Sequence, residues 1–258
     1  MLLSRIFRPG GARKTLHITD LTKMGGDRVC IAGLDEDGRC FRPVLRDHLR
    51  LQHLYKGNQL VVRPRARVSL ELYPCRIEPP HVEDRSFEHR SMALEGVGDN
   101  LEWESALKRG LFSSVEAVFE GHLQQGRWVS AGAPTRSLGT VTGISVRRLD
   151  LEEHDSKKEY RLSFADASGV AYKSIATTDL VFRRFCDLET EREASPLKAA
   201  RKITLLLERM RLYLRIGLAR PWAQPGQTPV CWMQINGIHT FPDYLAGESV
   251  ADLLSPRA

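Results

Sequence analysis

Residues 60–73 alternate. Val62, Ala66, Val68, Leu70 and Leu72 share one parity, and Arg63, Arg65, Arg67, Ser69 and Glu71 share the other. Side chains of an extended strand point to opposite faces with a period of two, so the segment is expected to be a β-strand with an apolar face and a row of three arginines opposite it. Pro64 falls on the apolar side and has no N–H to give to a ladder, which favours an edge or a bulge there.

The same pattern recurs along the chain. Residues 14–21, 28–34 and 39–45 read as strands, with Asp35, Glu36, Asp37 and Gly38 supplying turn chemistry for a hairpin. Residues 74–90, with Pro79-Pro80 and mixed charge, read as a loop leaving this unit. Between 97 and 123, Leu101, Ala106, Leu107, Leu111, Val115, Val118 and Phe119 approximate helical spacing interrupted by Gly110, so two short helices are expected. Residues 124–137, with Gly126, Gly132 and Pro134, suit a linker.

Strand pattern then resumes over 140–149, 160–164 and 170–175, with a turn at Asp166 to Gly169. Ser195 is a helix N-cap followed by Pro196 at the first helical position, and Ala199, Ile203, Leu206, Leu207 and Met210 form one apolar stripe. At 211–219 the period returns to two: Leu212, Leu214, Ile216 and Leu218 point one way and Arg211, Tyr213 and Arg215 the other. Residues 230–238 read as the partner strand beyond a turn at Pro225-Gly226.

The expected class is mainly β with a few helices (α+β). Short strands joined by glycine turns point to small barrels such as the five-stranded OB-fold, with sandwich and SH3-like barrels left open. A chain of 258 residues has room for two cores. The expected organisation is a basic N-terminal arm at 1–13 around Arg5, Arg8 and Arg13, a first barrel at 14–90, a helical insert and linker at 91–137, a second barrel with a helix at 138–248, and a tail at 249–258.

A formal charge of +6, carried mainly by arginine, favours polyanionic partners, because guanidinium forks suit phosphates and each neutralised phosphate releases a counterion. The five cysteines, Cys30, Cys40, Cys75, Cys186 and Cys231, are odd in number and widely spaced, without a Cys-x-x-Cys pair, which argues against a disulfide framework. The opening residues have too short an apolar run for a secretory signal, and no stretch approaches the ~20 apolar residues of a membrane span. A cytoplasmic address without a membrane partner is expected.

Several groups are candidates for contact with nucleic acid. The Arg63/Arg65/Arg67 row and the Arg211/Tyr213/Arg215 row combine cations with extended backbone, and Tyr213 adds a ring on which a base can stack; the alternative is a solvated polar face. Gly25-Gly26 with Lys23 and Arg28 can form a phosphate-binding nest, or simply a tight turn. Arg39 and Arg42 flank Phe41 just after the turn, so one strand end can present the guanidinium groups or the ring, packing being the simpler role for Phe41. Trp222 and Trp232 can likewise be stacking platforms for bases or partly buried packing residues, the commoner role of large aromatics. His81, Glu83, Asp84 and the His154-Asp155 pair lack metal-ligand spacing, as do Cys30, Cys40, His48 and His53, so neither a metal nor another cofactor is expected. Glu83 and Asp84 can equally latch an arginine as a surface pair worth little.

The run Leu21-Thr-Lys-Met-Gly-Gly-Asp-Arg-Val-Cys-Ile-Ala-Gly33, the run Gly38-Arg-Cys-Phe-Arg-Pro-Val44 and the closing block Trp232-Met-Gln-Ile-Asn-Gly-Ile-His-Thr-Phe-Pro-Asp-Tyr-Leu245 resemble a bacterial family of dual OB-fold proteins. The resemblance frames most of the chain, while the middle is less distinctive. It implies two OB-like barrels, nucleic-acid binding and a place as sensor or accessory subunit in a phage-defence or nucleic-acid-processing system, and it implies no catalytic residues. The expectation is therefore a non-catalytic protein that binds single-stranded or structured nucleic acid. Its rivals are an interaction module docking an acidic subunit of a larger assembly and a metal-dependent nuclease using Glu83 and Asp84.

Overall fold

The computed structural model describes residues 10–154 and 157–255. Arg5, Arg8 and Asp155 lie outside the described residues. Arg13, expected in the arm, already belongs to a strand. The chain is mainly β, and the first part carries β1 (Ala12–Lys23), β2 (Arg28–Leu34), β3 (Cys40–Val44), β4 (Leu49–Arg50), β5 (Tyr55–Lys56), β6 (Gln59–Leu60), β7 (Ala66–Tyr73), β8 (Asp84–Phe87) and β9 (Ala93–Val97).

Five of these strands close a barrel. β1 pairs with β2, β2 with β3, β3 with β8, β8 with β7, and β7 returns to β1. Every pair is antiparallel except β3 with β8. β1 serves two neighbours because it bends: residues 12–17 pair with β7, residues 17–23 pair with β2, and the register slips between Ile18 and Asp20. An extra residue in one strand strengthens the local twist, which lets a strand turn a barrel corner. Leu16, Ile31, Val68, Leu70 and Phe87 are buried in the core, each worth about 1.5–3 kcal/mol relative to exposure.

Two expectations for this part need correction. The strand expected over 60–73 begins only at Ala66. Ahead of it the Ala66 N–H donates to the Arg63 carbonyl at 3.1 Å and Arg65 takes φ 72°, so the chain turns at Pro64 instead of running through it. Residues 84–87, expected within a loop, form β8. That strand is short and polar, and it is held by parallel pairing with β3, a non-local contact that leaves no periodic trace.

The rest of the chain adds α1 (Asn100–Arg109), β10 (Leu111–Phe112), α2 (Val115–Val118), β11 (Trp128–Ser130), β12 (Leu138–Thr142), β13 (Ser145–His154), β14 (Lys157–Ala165), β15 (Ala171–Thr177), α3 (Leu180–Glu193), α4 (Pro196–Glu208), β16 (Arg211–Leu218), β17 (Val230–Phe241) and α5 (Val250–Leu254). Side-chain oxygens of Asp99, Ser114, Asp179 and Ser195 cap the first turns of α1 to α4, satisfying amides that the helices leave unpaired. The second sheet runs β10-β12-β16-β17-β15-β14-β13, with β11 added alongside β17. β12 and β13 meet at Gly143, whose φ of 69° breaks one extended run into two. α3 was not foreseen: its apolar residues crowd into the first half, so no stripe runs its length.

The two sheets are joined where β1 crosses β17. The Lys23 N–H donates to the Thr178 carbonyl at 2.8 Å, and His239 Nε2 lies 2.9 Å from the Thr19 carbonyl oxygen. One hydrophobic cluster runs from Leu16 and Ile31 to Leu162, Leu214 and Ile235. No described helix is long and apolar enough to cross a membrane, and the five cysteines are free thiols.

Candidate functional site

Most of the cations singled out in the sequence are already partnered inside the protein. Arg215 is fully buried. Its Nε donates to Asp20 Oδ2 at 2.9 Å, Nη1 to Thr140 Oγ1 at 2.9 Å and Nη2 to Cys40 Sγ at 3.2 Å. Tyr213 is 2% exposed, packs on Trp103, Ala106 and Leu107 of α1, and donates its hydroxyl to Glu104 at 2.7 Å. Arg211 pairs with the same carboxylate at 2.9 Å. The expected outward row on β16 is therefore not formed: α1 and β1 cover its polar parity, so only Arg211 reaches solvent.

The other row is dispersed as well. Arg65 pairs with Asp243 at 3.1 Å and donates to Asn100 Oδ1 at 2.9 Å, Arg67 pairs with Glu102 at 3.0 Å, and Arg63 is half-buried ahead of β7. Arg42 is buried against Asp84, which also holds Arg220 at 2.8 Å. Asp84 is thus an arginine latch, but a buried one. Lys23 and Arg28 donate to the carbonyls of Gly26 and Gly25, and Gly26 takes φ 67°, so this segment is a tight turn between β1 and β2.

Arg39 is different. It stands at the rim of a cleft of about 770 Å³ bounded by the β2–β3 turn, the loop leading into β8, the end of α1 and residues 134–139. The apolar wall includes Leu34, Val82, Leu111 and Leu138, and Arg39, Arg109 and Arg136 stand around it. Gly38 explains how two of these cations meet. It takes φ 79°, and a Cβ there would lie 2.4 Å from the Arg109 carbonyl oxygen, so only glycine lets the β2–β3 turn touch the end of α1.

Arg39 and Arg109 are exposed, and neither has an ion pair among the described residues; Arg109 donates only to Ser105 Oγ, at 3.4 Å. Arg136 lies over the Phe112 ring, 4.7 Å from its centroid, and pairs with Glu120. Cys40 and Arg215 also line the cleft. Desolvation pushes the Cys40 thiol up to about 12, which keeps it protonated and unreactive at neutral pH. Two carboxylates, Glu83 and Glu120, also line the cleft. Glu83 accepts from Ser137 N–H and Oγ at 2.8 Å each and from Leu138 N–H at 3.1 Å, anchoring the start of β12.

Chemically, the cleft offers apolar area with unneutralised guanidinium groups at its rim, which suits a ligand with a flat apolar part and a phosphate or carboxylate. Among the described residues no group of three or more His, Cys, Asp or Glu side chains is placed to hold a metal ion. Arg109 and Arg136 escaped sequence reading because one ends a helix and the other sits in an irregular segment. Gly110, Gly132 and Pro134 were local signs of unusual backbone there.

No protein-family model matches the chain, and no curated protein matches it in sequence.

Proposed function

We propose that the chain is a nucleic-acid-binding protein of two OB-like barrels that holds a single strand or a strand end in this cleft without performing chemistry on it. The observation that carries the reading is the pair Arg39 and Arg109, gathered on one cleft and without an ion pair among the described residues. Guanidinium groups take phosphates, and the apolar wall takes an unstacked base or sugar.

Strand order supports the fold reading. The first barrel has the cyclic order first, second, third, fifth, fourth, with its third and fifth strands parallel. In the second sheet β12 pairs with β16 and β13 pairs with β14, as the two halves of β1 pair with β7 and β2. Taking β12 and β13 as one strand bent at Gly143 gives the same ring, again with its third and fifth strands, β15 and β17, parallel. OB-folds bind oligonucleotides over strands two and three and the loop between strands four and five. The cleft touches the end of β2, the start of β3 and the loop between β7 and β8, which are the equivalent places.

The test is fluorescence anisotropy of the full chain with short single-stranded DNA and RNA oligonucleotides. Binding that weakens steeply as salt rises is the expected result. Absence of binding to every oligonucleotide at low salt overturns the reading, and a stable acidic protein partner covering Arg39 and Arg109 would replace it with protein docking.

A further inference from the structure

We propose that the outer face of the second sheet at the start of β17 is a base-stacking platform for a strand leaving the cleft, formed by Trp128, Trp222 and Trp232; the inference rests on the nucleic-acid reading above. Trp128 and Trp232 are direct register partners across β11 and β17, so their side chains share one face. Trp222 bridges Val230, two residues before Trp232 on the same strand, and the period of two puts all three indoles on that face.

Trp128 is half-buried, but the other two are not packing residues of the usual kind. Trp222 is 55% exposed and Trp232 41%, whereas the remaining tryptophan, Trp103, is fully buried against Tyr213. A cluster of exposed large apolar side chains marks a binding surface more often than chance.

Charge decides what covers it. The stretches 121–149, 167–178 and 209–242, which supply β11, β12, β15, β16 and β17, contain no aspartate or glutamate. The acids of the sheet's strands lie farther across it on β13 and β14, at Asp150, Glu152, Glu153 and Glu159. Exposed Arg127 and Lys173 lie within them and have no ion pair among the described residues. The Arg127 guanidinium donates to the Lys173 carbonyl at 3.2 Å, which fixes it beside β15 without neutralising it. An occupant that is both aromatic and anionic satisfies the indoles and the cations together, and a single strand with splayed bases is such an occupant. An acidic peptide would answer the cations alone.

The platform is continuous with the cleft. β11 runs through residues 131–133 to Pro134 and Arg136 on the cleft wall, and Gly132 N–H donates at 2.9 Å to the carbonyl of Pro79, another lining residue.

The experiment compares a thymidine oligonucleotide with an abasic strand of equal length, using the full chain. Wild-type protein should bind the base-bearing strand about tenfold or more tightly, with quenching of tryptophan fluorescence. Trp222→Ala/Trp232→Ala should lose most of that preference with an unchanged salt slope and unchanged thermal unfolding, and Trp222→Phe/Trp232→Phe should keep most of it. A double-alanine variant that binds with the wild-type preference overturns the platform and leaves the nucleic-acid reading standing. A wild-type dimer abolished by the double-alanine change, with the preference intact, also overturns it and assigns the face to a second copy of the chain. No binding of either strand by wild-type protein overturns both readings.

Discussion

Arg215 of β16 and Asp20 of β1 form an ion pair of 2.9 Å with side-chain exposures of 0% and 2%, tying the closed barrel to the second sheet through charges that solvent does not reach. Such a pair is expensive to break because the survivor stays buried and charged. Arg215→Met should destabilise the chain by about 3–5 kcal/mol in urea unfolding, and adding Asp20→Asn should recover a large part of that loss. Equal stability of the single and double variants would show that the two charges are not coupled.

Arg65 and Arg67 are held by Asp243 and Glu102 respectively. Partly exposed pairs of this kind contribute roughly 0.2–1 kcal/mol each. Arg65→Ala and Arg67→Ala should lower stability by about that amount and leave oligonucleotide affinity unchanged by anisotropy. A drop in affinity with unaltered stability would restore these arginines as phosphate contacts.

Gly38 lets the turn that carries Arg39 pack against the end of α1 that carries Arg109. Gly38→Ala places a Cβ where the Arg109 carbonyl stands and forces a left-handed backbone on alanine, at a cost of about 1–3 kcal/mol. The melting temperature should fall and oligonucleotide affinity should fall with it, measured well below the new melting point. Wild-type affinity in this variant would mean that the two cations need not stand together.

Acid should destabilise the fold. Burial lowers His239 to about 4, and burial with the charges of Arg42 and Arg220 lowers His81 to about 3, whereas both titrate near 6.5 when unfolded. The unfolded chain therefore binds more protons than the folded one over this range, so each histidine's contribution is complete above about pH 6.5 and is lost as pH falls toward 4, at about 1.4 kcal/mol per pH unit. Asp179 acts the other way, since burial raises it to about 7 from 3.8 and it gains stability on acidification. Two histidines outweigh one aspartate, leaving a net loss with about the slope of a single histidine. His239→Gln should flatten the dependence of unfolding free energy between pH 6.5 and 4; an unchanged slope would exclude His239 as its source.

The hairpins of the first barrel were legible because Asp35 to Gly38 supply turn chemistry between alternating runs, and α4 because Ser195 and Pro196 mark its start. β8 was not legible, since a four-residue, largely polar strand is defined by its neighbours β3 and β7 and carries no periodic pattern of its own. The arginine rows misled for a physical reason. Alternation reports that a strand has two different faces, but Tyr213 and Arg215 show that a polar face can be buried against Glu104 and Asp20 and still read as if it faced water. Of the predicted contacts, Arg39 alone lines the cleft as an exposed cation without an ion pair among the described residues, and Arg109 is brought there by tertiary contact at Gly38.

The central claim is that Arg39 and Arg109 neutralise phosphates in the cleft. The most direct measurement is the slope of log affinity against log salt for a single-stranded oligonucleotide, compared between wild-type protein and Arg39→Ala/Arg109→Ala. Two lost phosphate contacts should make the slope shallower by about 1.4 and weaken binding at low salt. Identical slopes and affinities for the two proteins would contradict the account.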